Sequence, residues 1–448
     1  MNQLRRHSTG YARDQWCVSR LKHYVQLNPP KSEISWLSKD TEVSFLPMEA
    51  VSESGEFDLT RVGKISDYAS GYTYFRDGDV LLAKITPCFE NGKTALVHGL
   101  KNGIGFGSTE FHVLRAKENM SRSYLAYVVR SYTFRSYGEA AMIGAAGQKR
   151  VPESFISEFK QPFPPLHEQQ AIASFLDRET TKLDQLVEKK QRLIELLQEK
   201  RQALITHAVT KGLDPNVPMK DSGIPWLGEV PAHWEEKRIK HLADFVTSGS
   251  RGWAQFYADS GSIFIRIGNF SHRGTIDLDM TDVQYVAPPP GSEGERTQVR
   301  PGDVLISITA NLGATAVVPE SLGEAYVNQH TALVRPKNRV INSRWLAFSV
   351  SAEYAQIQIR LMTQGGTKEG LSLDDVRDIT VLVPHKNEQD SIVSHIDRSC
   401  LIIEEALVKL QRQIELLGEY RQALITAAVT GQIDVRQYAV SEPEAVSQ

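Results

Sequence analysis

The run RQALITHAVT at Arg201–Thr210 returns as RQALITAAVT at Arg421–Thr430, 220 residues further on. At that fixed spacing the match extends without a gap. RLIELLQEKRQALITHAVTKGLD (Arg192–Asp214) lies over RQIELLGEYRQALITAAVTGQID (Arg412–Asp434), and PPLHEQQAIASFLDR (Pro164–Arg178) over PHKNEQDSIVSHIDR (Pro384–Arg398). Roughly half of the positions agree, which chance does not produce, so the chain must build one arrangement twice. A weaker echo precedes each copy. FRDGDVLLAKITPCFENGKTALV (Phe75–Val97) is similar to VRPGDVLISITANLGATAVV (Val299–Val318), and WCVSRLKH (Trp16–His23) to WEEKRIKH (Trp234–His241). The 448 residues exceed what one ordinary core holds, which agrees with a duplicated architecture.

Each half reads as a divergent domain followed by a well-matched helical segment. The expected boundaries are residues 1–163 for the first domain, 164–214 for the first long helix, 234–383 for the second domain and 384–434 for the second helix. Residues 215–233 form a linker and 435–448 a flexible tail. The stretch Gly212–Trp234 carries four prolines and three glycines, the composition of an extended strap rather than a core element.

In the first helix Leu176, Leu183, Leu186, Val187, Leu193, Ile194, Leu197, Leu204 and Ile205 fall at three- and four-residue steps. In the second, Ile396, Ile403, Leu407, Leu410, Ile414, Leu417, Leu424 and Ile425 do the same. No proline interrupts either run, and Gly212 and Gly431 stand where a helix C-terminus favours glycine. A continuous helix from His167 to Lys211 would extend roughly 60 Å at ~1.5 Å per residue, the scale of a coiled-coil stem. A stripe of this length can pack on its own domain alone, but two equivalent stripes most simply pack on each other. The expected stem contacts are Leu183, Leu186, Leu193, Leu197 and Leu204 with Ile403, Leu410, Ile414, Leu417 and Leu424.

The domains read as mixed α/β, rich in strand. Asp79–Ile85 and Asp303–Ile308 are strand-like and follow turns at Gly78 and Pro301-Gly302. FHVLRA and TALVRP follow as further strands, and short helices are expected over Ser121–Ser131 and Ser343–Gln356.

Motifs with a catalytic look lack the context that the chemistry needs. NPPK (Asn28–Lys31) has the frame of an amino-methyltransferase loop, but Lys31 stands where a flipped base needs an aromatic to stack on. PCFENGKT (Pro87–Thr94) nearly spells a phosphate-binding loop, yet Pro87 replaces the first glycine and a strand-like ALV follows instead of a helix. GIGFGS (Gly103–Ser108) runs into a strand and reads as a turn. The histidines show no metal-ligand spacing, and Cys17, Cys88 and Cys400 form neither a CxxC pair nor a disulfide framework. No catalytic residue, metal site or cofactor is expected. The absence of an apolar run of membrane length, together with scattered thiols, points to a cytoplasmic protein.

The order of domain, helix, domain, helix resembles the specificity subunit of type I restriction-modification systems. The resemblance covers nearly the whole chain. It rests on PPLHEQQAIASFLD and RQALITHAVTKGLD, on their second copies, and on the linker phrase DSGIPWLGEVPAHWE (Asp221–Glu235). It implies an α/β (α+β) fold with two pseudo-symmetric target-recognition domains separated by two long helices in an antiparallel coiled-coil stem. It further implies a non-catalytic subunit that binds double-stranded DNA at a bipartite, asymmetric site, one domain per half-site. Two modification (methyltransferase) subunits would dock on the stem, and restriction subunits would join them. S-adenosylmethionine, ATP and magnesium would belong to those partners. A pseudo-twofold protein suits half-sites about a helical turn apart, ~34–36 Å.

A net charge of −3 does not itself announce a DNA binder, because charge on one face matters more than the sum. Base readout needs Arg, Lys, Asn or Gln on presented loops, and phosphate contacts need Lys and Arg. Lys84, Lys93, Gln148, Lys149 and Arg150 are the candidates in the first domain, and Arg251, Arg266, Asn269, Arg273 and Lys368 in the second. GAAGQKR (Gly144–Arg150) and QGGTKEG (Gln364–Gly370) form a pair at the repeat spacing. The alternative is a paired-helix scaffold that joins proteins without reading DNA.

Overall fold

In the computed structural model, which describes residues 16–145, 147–270, 275–288, 291–363 and 370–435, the described residues of the first half of the chain build ten strands and five α-helices. The strands are β1 (Cys17–Arg20), β2 (Val25–Leu27), β3 (Glu42–Leu46), β4 (Val62–Lys64), β5 (Thr73–Arg76), β6 (Val80–Ala83), β7 (Thr94–Leu96), β8 (Ile104–Gly107), β9 (Phe111–Ala116) and β10 (Lys160–Phe163). The helices are α1 (Ile65–Tyr68), α2 (Arg122–Arg130), α3 (Tyr132–Ala140), α4 (Glu153–Glu158) and the 46-residue α5 (Leu166–Lys211). Strands β2-β9-β6-β7 form an antiparallel sheet. Strands β4-β3-β8-β5 form a second, in which β3 and β8 run parallel.

The second half follows with β11 (Met219–Asp221), β12 (Glu229–Pro231), β13 (Glu235–Arg238), β14 (Ala243–Ser248), β15 (Tyr257–Ala258), β16 (Ser262–Ile265), β17 (Gln284–Val286), β18 (Val304–Ser307), β19 (Thr315–Val317), β20 (Ala325–Val327), β21 (Thr331–Pro336) and β22 (Thr380–Val383). Its helices are α6 (Ile239–Leu242), α7 (Ser292–Thr297), α8 (Ser343–Ser351), α9 (Glu353–Thr363), α10 (Leu373–Asp378) and the 44-residue α11 (Lys386–Val429). The sheet β14-β21-β18-β19 repeats β2-β9-β6-β7, the parallel pair β16·β20 repeats β3·β8, and β13·β22 repeats β1·β10.

The chain divides into two compact units that are not its two halves. One contains Met1–Lys189 with Arg412–Gln448, the other Lys190–Gln411. Each unit therefore holds one domain, the first part of the helix that follows it, and the last part of the other long helix. In the first unit, Ile172, Ala173 and Leu176 of α5 share a core with Leu424, Ile425, Ala428 and Val429 of α11, and with Tyr124, Leu125 and Val128 of α2. In the second unit, Ile205, Ala208 and Val209 of α5 share a core with Ile392, Val393 and Ile396 of α11, and with Trp345, Leu346 and Phe348 of α8. Within each unit the two helix segments run antiparallel.

Their buried seam follows a heptad. Leu183, Val187, Ile194, Leu197, Arg201 and Ile205 are half-buried or buried along α5, and Ile403, Leu407, Leu410, Ile414, Leu417, Arg421 and Leu424 along α11. Leu204 is half-buried beside the seam. Leu186 and Leu193, expected inside the stem, are 41% and 45% exposed, because each stands one residue away from a seam position.

Three other expectations are corrected. GIGFGS is not a turn, since Ile104–Gly107 is a strand inside a four-stranded sheet. A Cβ on Gly105 would meet the Phe75 ring at 2.1 Å, so the glycine lets an aromatic lie flat on the strand. The single helix expected over Ser343–Gln356 breaks at Ala352, which is extended at ψ 149°. The Pro/Gly-rich strap is not wholly outside a core: β11 pairs with β12, and Val230 is fully buried beside Trp234 in the second unit. Of the expected tail, Val435 is buried in the first unit, and residues 436–448 lie outside the described residues.

Candidate nucleic-acid interface

The repeated helical motifs hold each domain by the same bonds. Glu168 accepts from the Trp16 indole at 3.1 Å, and Glu388 from the Trp234 indole at 3.1 Å. Gln169 accepts from the Ser121 amide at the start of α2 and donates to the Pro164 and Asn119 carbonyls. Gln389 accepts from the Asn342 amide at the start of α8 and donates to the Pro384 and Val340 carbonyls. Inside the sheets, Arg115 clasps Asp79 through two bonds of 2.8 and 2.7 Å, and Arg335 clasps Asp303 at 2.9 and 2.7 Å. Burial disfavours the Arg115 cation, but bonds to Asp79 and Glu33 outweigh it and hold its pKa above the ordinary value. These arginines lock β9 to the residue before β6, and β21 to the residue before β18; the far end of each sheet is the opposite one, where β6 and β18 end and β9 and β21 begin.

At that far end only the main chain repeats. In the first unit the Lys84 amide donates to the Glu110 carbonyl, Val151 to Lys84, and Ser108 to Leu46. In the second, Ile308 donates to His330, Leu371 to Ile308, and Asn328 to Ile265. The side chains at these equivalent positions differ throughout: Lys84 against Ile308, Ser108 against Asn328, Thr109 against Gln329, Glu110 against His330.

In the first unit this end is predominantly basic. Lys84 and the run Gln148–Arg150, far apart in sequence, are brought together by the Val151–Lys84 bond, by the Thr86 amide donating to the Lys149 carbonyl, and by a bridge between Ile85 and Arg150. The Gln148–Arg150 run sits on a hairpin closed by two bonds between Ile143 and Arg150. Gln148 and Lys149 are exposed. Arg150 grips Glu110 at 2.7 and 3.0 Å, a bond that lowers the Glu110 pKa. Lys93 is half-buried and donates to the Met48 carbonyl, so its charge serves the loop beneath. His112 lies just under this end, 3% exposed, with Nε2 2.8 Å from the Val151 carbonyl. Burial pushes its pKa below the usual histidine value.

In the second unit the same end is built from Arg251, Arg266, Thr309, Asn328, Gln329 and His330. Ser250 bridges Asn328 and so brings the exposed Arg251 there. Arg266 follows the Ile265–Asn328 bond and pairs with Asp282 at 3.1 Å. The Gln329 side-chain carboxamide donates to His330 Nε2 at 3.1 Å, which leaves Nδ1 to donate to Thr309 Oγ1 at 3.1 Å. Asn269 is 2% exposed. Its carboxamide accepts from the Arg266 amide and donates to the Asp279 and Asp282 carbonyls, so it holds the loop and has no free polar atom for a base. Arg273 and Lys368 lie outside the described residues. Gln329 and His330 escaped the sequence reading; their signal was the turn between two strands at the repeat spacing from Thr109-Glu110.

Among the described residues Lys84, Lys149 and Arg251 have no ion-pair partner, so these cations are available to a ligand. NPPK is a turn whose Asn28, at φ 47°, accepts from the Val113 amide and donates to Glu153. PCFENGKT leads into strand β7. Among the described residues no group of three His, Cys, Asp or Glu could hold a metal ion, and no helix is long and apolar enough to cross a membrane.

Comparison with known proteins places this architecture. The family of the type I restriction modification DNA specificity domain matches residues 15–196 and 231–415. The EcoAI specificity subunit of Escherichia coli, a type I restriction enzyme component, is 44% identical over 164 residues; the match spans 36% of this chain and 27% of that subunit. A putative MjaX specificity subunit of Methanocaldococcus jannaschii is 21% identical, over 94% of this chain and 100% of that one. A solved chain of a type I R-M system shares the fold, with a TM-score of 0.71 at 20% identity, covering 93% of this chain and 98% of that one.

Proposed function

Since the chain belongs to the family of type I restriction modification DNA specificity domains, we propose that it reads a split, asymmetric DNA site with one domain on each half. One observation carries this reading: the two sheet ends share their main-chain bonds and differ at every equivalent side chain. A common scaffold with different side chains is what two half-sites of different sequence require, because base edges are read by side-chain type. Lys84, Lys149 and Arg150 in the first unit, and Arg251, Arg266 and Gln329 in the second, are the contacts we assign to DNA. Lysines serve phosphates; arginine and glutamine can also read guanine and adenine edges.

The helical stem serves as the dock for two methyltransferase subunits, and restriction subunits join through them. Methyl transfer, with S-adenosylmethionine, and ATP- and magnesium-dependent steps are performed by those partners. The near-neutral net charge is consistent with partners supplying part of the phosphate contact.

Exchange of residues 16–163 for the equivalent stretch of another specificity subunit tests the reading. Mapping of methylated sites in cells is expected to show one half of the split motif replaced and the other retained. An unchanged motif would sink the proposal and favour the protein scaffold.

A further inference from the structure

The letters R, Q and T of the two RQALIT copies make the same three contacts, and each copy makes them inside the unit of the other domain. Gln422 donates to the Arg130 carbonyl at 2.8 Å, and Gln202 to the Ser351 carbonyl at 2.9 Å. Thr426 Oγ1 accepts from the Tyr132 amide at 2.9 Å, and Thr206 Oγ1 from the Glu353 amide at 3.3 Å. Arg421 pairs with Asp184, and Arg201 with Glu404, both at 3.4 Å. The glutamine thus binds the last carbonyl before a helix break and the threonine accepts from the first amide after it, while the arginine meets a carboxylate of the other long helix.

The first turn of a helix has amides with no partner inside the helix. Helix α3 takes the Ser131 hydroxyl for Phe134 and the Thr426 hydroxyl for Tyr132. One of its two caps is thus supplied by α11, 294 residues away in sequence. Thr426 is held for this task, because its hydroxyl hydrogen goes to the Gln422 carbonyl at 2.9 Å and its lone pair is aimed at Tyr132. From Ala140, the end of α3, the chain passes directly into the hairpin that Ile143 and Arg150 close, which carries Lys149 and Arg150.

We propose that Thr426 and Gln422 are positioning residues for DNA reading by the first domain, acting through α3 on the Lys149–Arg150 hairpin. Thr206 and Gln202 do the same for α9 in the second unit, where Gln356 of α9 donates to the Gly313 carbonyl and the Gly313 amide to Ser307 at the end of β18. The inference rests on the DNA-reading function proposed above and adds a crossed assignment. A residue in the second long helix governs fidelity at the half-site read by the first domain, and a residue in the first helix governs the other.

The test uses the full chain expressed with its own partner subunits. Thr426→Val keeps the volume and removes the acceptor; Thr426→Ser retains it; Gln422→Ala removes the second bond. Methylated motifs are mapped in cells for wild type and each variant, with thermal unfolding of the purified chains alongside. Thr426→Val is expected to raise methylation at single-base variants of the first half-site about tenfold relative to the intact site, the scale of losing one helix cap. The second half-site stays as strict as in wild type, Thr426→Ser restores the first, and Thr206→Val gives the mirror image. Equal relaxation of both halves, or weaker methylation with an unchanged motif, would show that the clamp only stabilises the chain and overturns the inference. If Thr426→Val does not fold, Gln422→Ala carries the same expectation. A wild-type motif that does not respond to exchange of residues 16–163 defeats the DNA-reading function itself, and the inference with it.

Discussion

The side of each unit that meets the long helices and the far end of its sheet follow opposite rules. Near the helices, side chains repeat: Trp16 and Trp234 on glutamate, Gln169 and Gln389 on a helix start, Arg115 and Arg335 on aspartate. At the far end, main-chain bonds repeat and side chains do not. A surface that must present equivalent groups to equivalent neighbours keeps its chemistry. A surface that meets two different half-sites, as proposed for the sheet ends, keeps only its shape.

The largest expected effect tests the repeated side. Asp79 is 1% exposed, and Arg115→Met leaves its carboxylate buried without a cation. Breaking a buried pair in this way costs about 3–5 kcal/mol. Hydrogen exchange of peptides covering Phe111–Ala116 is expected to accelerate accordingly. Arg335→Met is expected to act in the same direction on Thr331–Pro336 and less strongly, because the Arg335 side chain is 22% exposed against 8% for Arg115. A null result in either unit would break the claim that the two clasps are equivalent.

The helical seam supplies the next test. Leu424 is 7% exposed in the core of the first unit, and Leu424→Ala is expected to destabilise it by about 2–5 kcal/mol. Leu186→Ala, at a position 41% exposed, should shift the unfolding temperature little. Equal effects at the two sites would mean that the seam includes Leu186 after all.

At the far end, effects are expected in binding rather than stability. Arg251→Ala, if Arg251 reads a base, costs about 1–3 kcal/mol at the cognate site and relaxes one position of the motif. Lys149→Ala, if its ammonium meets a phosphate, weakens all duplexes alike and lowers the salt dependence by about one ion. Salt titrations on cognate and scrambled duplexes separate the two. Swapped outcomes would reassign which cation reads and which one anchors.

Much of this was legible in the sequence. The stripe of three- and four-residue steps foretold two long helices, and Gly212 and Gly431, at φ 76° and 71°, foretold their ends. FHVLRA and TALVRP became β9 and β21. The identity of the domain that each RQALIT copy grips was not legible. A repeat states that two segments have equivalent surroundings, and this holds equally when each copy serves its own domain or the other one. Asn269 shows the same limit at one residue: a carboxamide suits a base edge and a loop cap equally, and only burial separates them. Leu186 and Leu193 failed because apolar type was read without fixing the heptad phase.

The smallest expected effect is a difference in acid sensitivity between the two sheets. His112 is buried in β9, whereas Ala332 stands at its equivalent in β21. Around His112, burial and the Lys84 charge disfavour the imidazolium, while the Val151 carbonyl, Glu153 and Glu110 favour it; burial prevails and the pKa falls below 6.5. The unfolded chain therefore binds a proton that the folded chain refuses. Stability from the neutral ring is full above the unfolded value and declines as pH drops below about 6.5, until the folded pKa is reached. At pH 5 the loss amounts to at most about 2 kcal/mol, since each unit of pH is worth about 1.4 kcal/mol. Hydrogen exchange between pH 7 and 5, corrected for the intrinsic rate, should show β9 losing protection relative to β21. His112→Ala gives the first unit the residue of the second and should remove the difference, whatever it costs in absolute stability. A slope that survives the substitution would place the acid-sensitive group elsewhere in the first unit and detach this asymmetry from the sheet end.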